Sequence, residues 1–213
     1  MQNNIFRPGG LALTDRGAKK AGLNSNTSVL DIGCGTGTTL HYLTSNYGCH
    51  ISGIDLSATA VSAACKLLPG ATLIQADACN LPFGSDSFNA VFMECTLTLF
   101  PDPLKALKEA FRVLSPNGTL IISVLSREKG SCLIENGTAS IDQLTDALCS
   151  IGFSDIVCTD HTNELVQFVV DIIFKYGSLD AYLTQASETL GCSVFACGIQ
   201  PKNTHYHMLT SRK

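Results

Sequence analysis

Residues 29–37 read Val-Leu-Asp-Ile-Gly-Cys-Gly-Thr-Gly, an apolar strand running straight into three glycines at alternate positions. At such a strand-to-helix turn glycine tolerates the sharp bend, lets a ligand approach the main chain, and lets the next helix pack tightly on the sheet. The run commits the chain to an α/β architecture, with a backbone cradle for an adenosine-bearing ligand where strand gives way to helix.

The following sequence keeps the alternation. Strands are predicted over 50–54, 72–75, 89–93, 119–124 and 156–159, with a last one over 205–210. Helices are predicted between them. Ser57 caps one that Pro69-Gly70 stops, Asp102-Pro103 opens another that ends before the turn Ser115-Pro116-Asn117-Gly118, and Ser140 with Gln143 forms a capping box for a helix ended by Gly152. Strands alternating with helices imply a mostly parallel sheet with helices on both faces and ligands at the carboxyl ends of the strands. Asp31, Gly33, Cys34, Gly35, Gly37, Asp55, Asp77 and Glu94 should therefore line one rim. The alternation breaks after 160, where Leu165, Val166, Phe168, Val169, Ile172, Ile173 and Tyr176 recur at helical spacing and a second helix covers 179–190. The organisation expected is one domain: an N-terminal extension or lid over 1–27, a cofactor-binding core over 28–160, a helical insertion over 161–200, and the last strand over 201–213.

Composition agrees with a single domain, since 213 residues at 45% hydrophobic content can bury one substantial core. With 14 basic and 18 acidic residues the net charge is -4, which lacks the positive field of nucleic-acid or anionic-membrane binders and favours a small-molecule substrate. No apolar run reaches the roughly 18 residues of a membrane span, and the start Met1-Gln2-Asn3-Asn4 is polar, so a cytoplasmic location is expected. Ten cysteines include no Cys-x-x-Cys pair and no zinc spacing; no metal site is expected, and most of these thiols read as small core hydrophobes.

The cradle spacing narrows its ligand. A dinucleotide fingerprint needs glycine at position 38, where this chain has Thr38, and the acid Asp31 just before the cradle suits a cation better than a pyrophosphate. At Val29–Gly37, Ile51–Ser57, Gln75–Phe83 and Ser87–Glu94 the chain resembles the class I S-adenosylmethionine-dependent methyltransferases, in particular those with the methyltransferase 11 type domain. The segment 106–118 matches the helix and turn leading to the fifth strand. The resemblance implies a Rossmann-like sandwich with a seven-stranded, mostly parallel sheet and an antiparallel last strand. It also implies S-adenosyl-L-methionine as cofactor and transfer of its methyl group to a small molecule by in-line displacement. By that likeness Asp55 holds the ribose hydroxyls, Leu56 packs on the adenine, Asp77 meets the adenine amino group and Ala78 offers a backbone donor to the ring. Asp31 favours the methionine ammonium and the sulfonium charge. The strand-four aspartate usual in the family is Asn89 here.

Glu94 has two readings at the sequence level: it orients the cofactor or takes a proton from the acceptor, or it satisfies donors of its own loop. Arg7-Pro8-Gly9-Gly10-Leu11 is one lid candidate and the apolar helix over 165–176 a second, the latter also readable as core or homodimer contact. Cys34, Cys79, Cys95 and Cys132 each follow a predicted strand, which motivates an alternative in which thiolates hold arsenite or another thiophile for methylation. A nicotinamide oxidoreductase and a non-catalytic cofactor-binding scaffold are the remaining alternatives.

Overall fold

The computed structural model describes residues 7–127, 130, 132–190 and 204–213. The end of the expected helical insertion, with Cys192 and Cys197, lies outside the described residues. Among the described residues nine strands form one sheet: β1 (Ser28–Ile32), β2 (His50–Asp55), β3 (Thr72–Gln75), β4 (Phe88–Glu94), β5 (Leu114–Arg127), β6 (Ile134–Glu135), β7 (Thr138–Ser140), β8 (Ser154–Asp160) and β9 (His205–Arg212). The order β3-β2-β1-β4-β5 is parallel throughout, and β9 runs antiparallel between β5 and β8. The seven expected strands are all present. The two additional ones, β6 and β7, form a short antiparallel pair whose second strand joins the far end of β5.

Seven α-helices among the described residues accompany the sheet: α1 (Gly10–Lys20), α2 (Thr38–Tyr47), α3 (Ala58–Leu67), α4 (Pro103–Val113), α5 (Ile141–Ile151), α6 (Thr162–Tyr176) and α7 (Leu179–Leu190). Local chemistry sets their ends. Ser57 accepts from the Ala60 N–H and Asp102 from the Lys105 N–H, with Pro103 in the first turn, and Gly152 closes α5 in the left-handed region. The capping box at Ser140 is only half formed, because the Gln143 N–H donates to Ser140 Oγ while the Ser140 N–H donates to the Leu133 carbonyl instead. The turn at 115–118 falls inside β5, where Asn117 takes a positive φ of 64° and the register against β4 shifts.

Buried clusters sandwich the sheet. One packs Leu30, Val91, Leu107, Ala110, Leu120, Ile122 and Leu148 on the α4–α5 side, and the other packs Leu13, Val29, Phe92, Ile121, Leu165 and Tyr206 on the α1–α6 side. α1 buries Leu13, Thr14, Gly17 and Ala18. Gly17 allows close contact, since a Cβ there would stand 2.9 Å from Ile121 Cγ2. Among the described residues no helix is long and apolar enough to cross a membrane.

Candidate active site

The expected rim forms where the parallel strands end. Gly33 N–H and Cys34 N–H both donate to the Ile54 carbonyl, at 2.8 and 2.9 Å, which draws the cradle onto the end of β2. The half-buried Asp55 then receives the Gly35 N–H on Oδ2 at 2.8 Å and the Ser57 N–H on Oδ1 at 2.9 Å. One carboxylate thus fixes both the cradle and the start of α3. Gly33 has φ +82°, and a Cβ there would run into Thr96 Cγ2, so the bare backbone is required on two counts. Thr96 in turn donates from Oγ1 to the Ile32 carbonyl at 2.9 Å.

Leu56 follows Asp55 and is 72% exposed, an apolar side chain left uncovered beside the cradle. Asp77 is exposed just beyond β3 and accepts the Cys79 N–H at 2.8 Å, while Ala78 is buried in the core. β3 is held to β2 here by the Ala76 N–H on the Asp55 carbonyl. An exposed carboxylate, a bare apolar surface and a diol-sized acceptor beside a glycine cradle fit the ribose and adenine of S-adenosylmethionine.

Glu94 ends β4 and is the hub of a buried network that sequence reading does not reveal. Its Oε2 accepts from Arg7 Nη2 at 2.5 Å and from Thr39 Oγ1 at 2.9 Å, and its Oε1 accepts from Thr14 Oγ1 at 3.0 Å. Arg7 Nη2 also reaches Thr39 Oγ1 at 3.1 Å and contacts Thr14 Oγ1. Four elements therefore meet at one carboxylate: the segment before α1, α1 itself, the first turn of α2 after the cradle, and β4. Both oxygens of Glu94 are engaged, and its donors come from distant elements rather than from its own loop. Asp31, 3% exposed on β1, has its carboxyl pushed well up, first by burial and then by Glu94, against the opposing pull of Arg7.

The remaining candidates separate from the rim chemistry. Burial pushes the Cys34 thiol up, and Cys79 likewise; their sulfurs donate to the Gly35 and Asp102 carbonyls. Cys95 Sγ lies 3.1 Å from Tyr206 Oη, and Cys132 is exposed and donates to the Ile134 carbonyl. No group of three or more His, Cys, Asp or Glu side chains among the described residues could hold a metal ion. In place of a thiolate-lined rim the described residues have dispersed thiols, two of them pushed up by burial. Asn89, standing where the resemblance leads one to expect aspartate, accepts the Ser28 N–H on its Oδ1 at 2.9 Å.

The two lid candidates differ in attachment. α1 is tied to α2 by Asp15, which accepts from Tyr42 at 2.9 Å and Tyr47 at 2.5 Å and pairs with Lys19 at 2.6 Å. Those bonds, Lys19 first, pull the Asp15 carboxyl down to about 2. Arg16 reaches across to Glu164 at 2.6 Å and His161 Nδ1 at 3.1 Å, linking α1 to the start of α6. α6 and α7 share a small aromatic cluster of Phe168, Tyr176 and Tyr182, with Ile172 beneath.

Comparison with known proteins agrees with this geometry. Residues 30–122 match the family model described as a methyltransferase domain. An uncharacterized protein of Haemophilus influenzae is 34% identical over 161 residues, which cover 71% of this chain and 64% of that protein. Phosphoethanolamine N-methyltransferase 1 of Zea mays is 26% identical over 183 residues, 79% of this chain and 36% of that one. The chain therefore spans less than two thirds of the length of these relatives. Among solved structures, Haemonchus contortus phosphoethanolamine N-methyltransferase 2 in complex with S-adenosyl-L-methionine superposes with a TM-score of 0.79 at 22% identity, covering 99% of this chain and 54% of that one.

Proposed function

Residues 30–122 are a methyltransferase domain of the class I S-adenosylmethionine-dependent family, and from that premise we propose that the protein transfers the donor's methyl group to a small-molecule acceptor. The observation that carries this reading is the joint placement of the Gly33–Gly37 cradle, Asp55 and exposed Leu56 on one rim, with Asp77 on the neighbouring strand end. Asp55 offers carboxylate lone pairs to the ribose diol while its backbone partners keep it aimed. Leu56 supplies an apolar face for the base, and Asp77 an acceptor for its amino group.

When bound, the donor supplies an activated methyl on a sulfonium sulfur, which keeps the bonding electron pair as the acceptor's lone pair forms the new bond. The protein's part is to align, enclose and exclude water. Arg7 and Glu94 close the amino-terminal segment against the cradle helix through Thr39, beside the acid Asp31. No enzyme nucleophile is needed. Because Glu94 is committed to three donors, an acceptor proton leaves to solvent or to a group on the acceptor side. The net charge of -4 favours a small acceptor over nucleic acid.

Thermal-shift titration tests the reading. S-Adenosylhomocysteine and S-adenosylmethionine should each raise Tm, by about 2.7 kcal/mol of stabilisation at a hundredfold excess over Kd, whereas NAD should not. Stabilisation by NAD without any by S-adenosylhomocysteine would overturn it.

A further inference from the structure

α1 and α6 are joined at a histidine. His161, 7% exposed, is the N-cap of α6, and its N–H donates to the Tyr206 carbonyl of β9 at 2.7 Å. Its Nε2 lies 3.0 Å from Thr159 Oγ1, and that hydroxyl donates its one proton to the Met208 carbonyl at 3.1 Å. The proton between ring and hydroxyl is thereby assigned to Nε2, which leaves Nδ1 to carry either a lone pair or a second proton.

Two partners of opposite kind face Nδ1. Arg16 Nη1 on α1 and Glu164 Oε1 on α6 each stand 3.1 Å from it, and 2.6 Å from one another. A lone pair on Nδ1 accepts from the guanidinium but opposes the carboxylate, whereas a proton there satisfies the carboxylate and opposes the guanidinium. With the ring neutral, the trio has no net charge and Arg16 holds Glu164 across the two helices. With the ring protonated, the trio carries one excess positive charge and His161 takes Glu164 for its own helix. The other titratable groups nearby are engaged elsewhere. Lys20, one turn along α1, acts on Cys158 of β8, and Asp160 of β8 accepts from the Thr162 N–H and Oγ1 at 2.7 and 2.6 Å. On β9, His205 and His207 act on Asp160, His207 Nδ1 lies 2.6 Å from Ser126 Oγ, and the Tyr206 phenol donates to Ser123.

We propose that His161 is a pH-sensitive latch between the amino-terminal cover and α6, closed through Arg16 and Glu164 while the ring is neutral and released when the ring takes up a proton. Histidine ordinarily changes charge between about pH 5 and 8, so the release falls in mildly acidic solution. The latch acts on the covers and not on the cradle, and it holds or fails independently of the methyl-donor reading.

Hydrogen exchange of the unliganded protein at pH 8 and pH 5.5, corrected for the intrinsic rate at each pH, tests it. The quantity read is the protection of Gly10–Lys20 in the wild type divided by that in Arg16→Gln, because titrations that do not involve Arg16 cancel in this ratio. The ratio should be about five at pH 8, the upper end for an ion pair of this exposure, and about one at pH 5.5. Built into His161→Gln, the same comparison should give equal ratios at the two pH values. Glu164→Gln keeps the histidine but removes the contested partner, and should bring the pH 8 ratio down toward one. A ratio that does not change with pH while His161 is in place would overturn the latch. So would a ratio that still falls toward acid in His161→Gln, or one that stays at about five in Glu164→Gln.

Discussion

The two covers of the sheet are built in opposite ways. The amino-terminal cover, Arg7 with α1, is fastened to Glu94, Thr39, Tyr42 and Glu164, largely by charged or buried polar bonds. The α6–α7 insert instead shows solvent an apolar stripe, with Val166 57%, Ile173 50% and Phe174 87% exposed. A buried ion pair is expensive to form and more expensive to break by removing one partner, about 3–5 kcal/mol, so it suits a surface that must always close the same way. An apolar helix pair with its own small aromatic cluster can repack against ligands of different shape. From this difference we propose that the first cover serves the donor and the second the acceptor.

Disrupting the cradle itself should have the largest effect. Gly33→Ala puts a Cβ into Thr96 at a positive φ, so it should cost about 2–4 kcal/mol and abolish stabilisation by S-adenosylhomocysteine, as thermal shift would read. The comparison is sharpened by pairing Thr14→Val with Phe174→Ser. Loss of the Thr14 hydroxyl leaves Glu94 short of a donor, which should cost about 1–3 kcal/mol and weaken S-adenosylhomocysteine binding. Phe174→Ser should change stability by less than about 0.5 kcal/mol and leave that binding unaltered. If the two variants weakened the ligand equally, the division of labour between covers would fail.

Asp31→Asn probes the donor side through pH. The Asp31 carboxyl is held above its ordinary value in the folded chain, so the native state binds this proton more tightly than the unfolded state. The stability it contributes is therefore full below the ordinary carboxylate value and is lost as pH rises through the raised one. Asparagine removes that loss: the variant's Tm should exceed the wild type's by a margin that grows from pH 4 to pH 8, about 2–4 °C for each kcal/mol relieved. A constant difference across that range would contradict the assignment.

Much of the core was legible because its signals are local. The cradle at 33–37, the caps Ser57 and Asp102, the left-handed stop at Gly152 and the acids ending strands each need only a few neighbouring residues to read. The site's main polar network was not legible. Arg7, Thr14, Thr39 and Glu94 are scattered over 87 residues of sequence, and nothing near any of them marks it as the partner of the others. The one hint was an arginine directly before Pro8-Gly9-Gly10, which marked a lid without naming its catch. The thiol-lined rim failed for a related reason: following a strand places a residue near the rim but does not say which way its side chain is buried.

Hydrogen exchange with and without S-adenosylhomocysteine tests most directly the claim that the amino-terminal cover belongs to the donor. Saturating ligand should slow exchange in Gly10–Lys20 and in the cradle at 33–38, while residues 166–176 of α6 exchange as before. Protection concentrated in 166–176, with none in Gly10–Lys20, would contradict it.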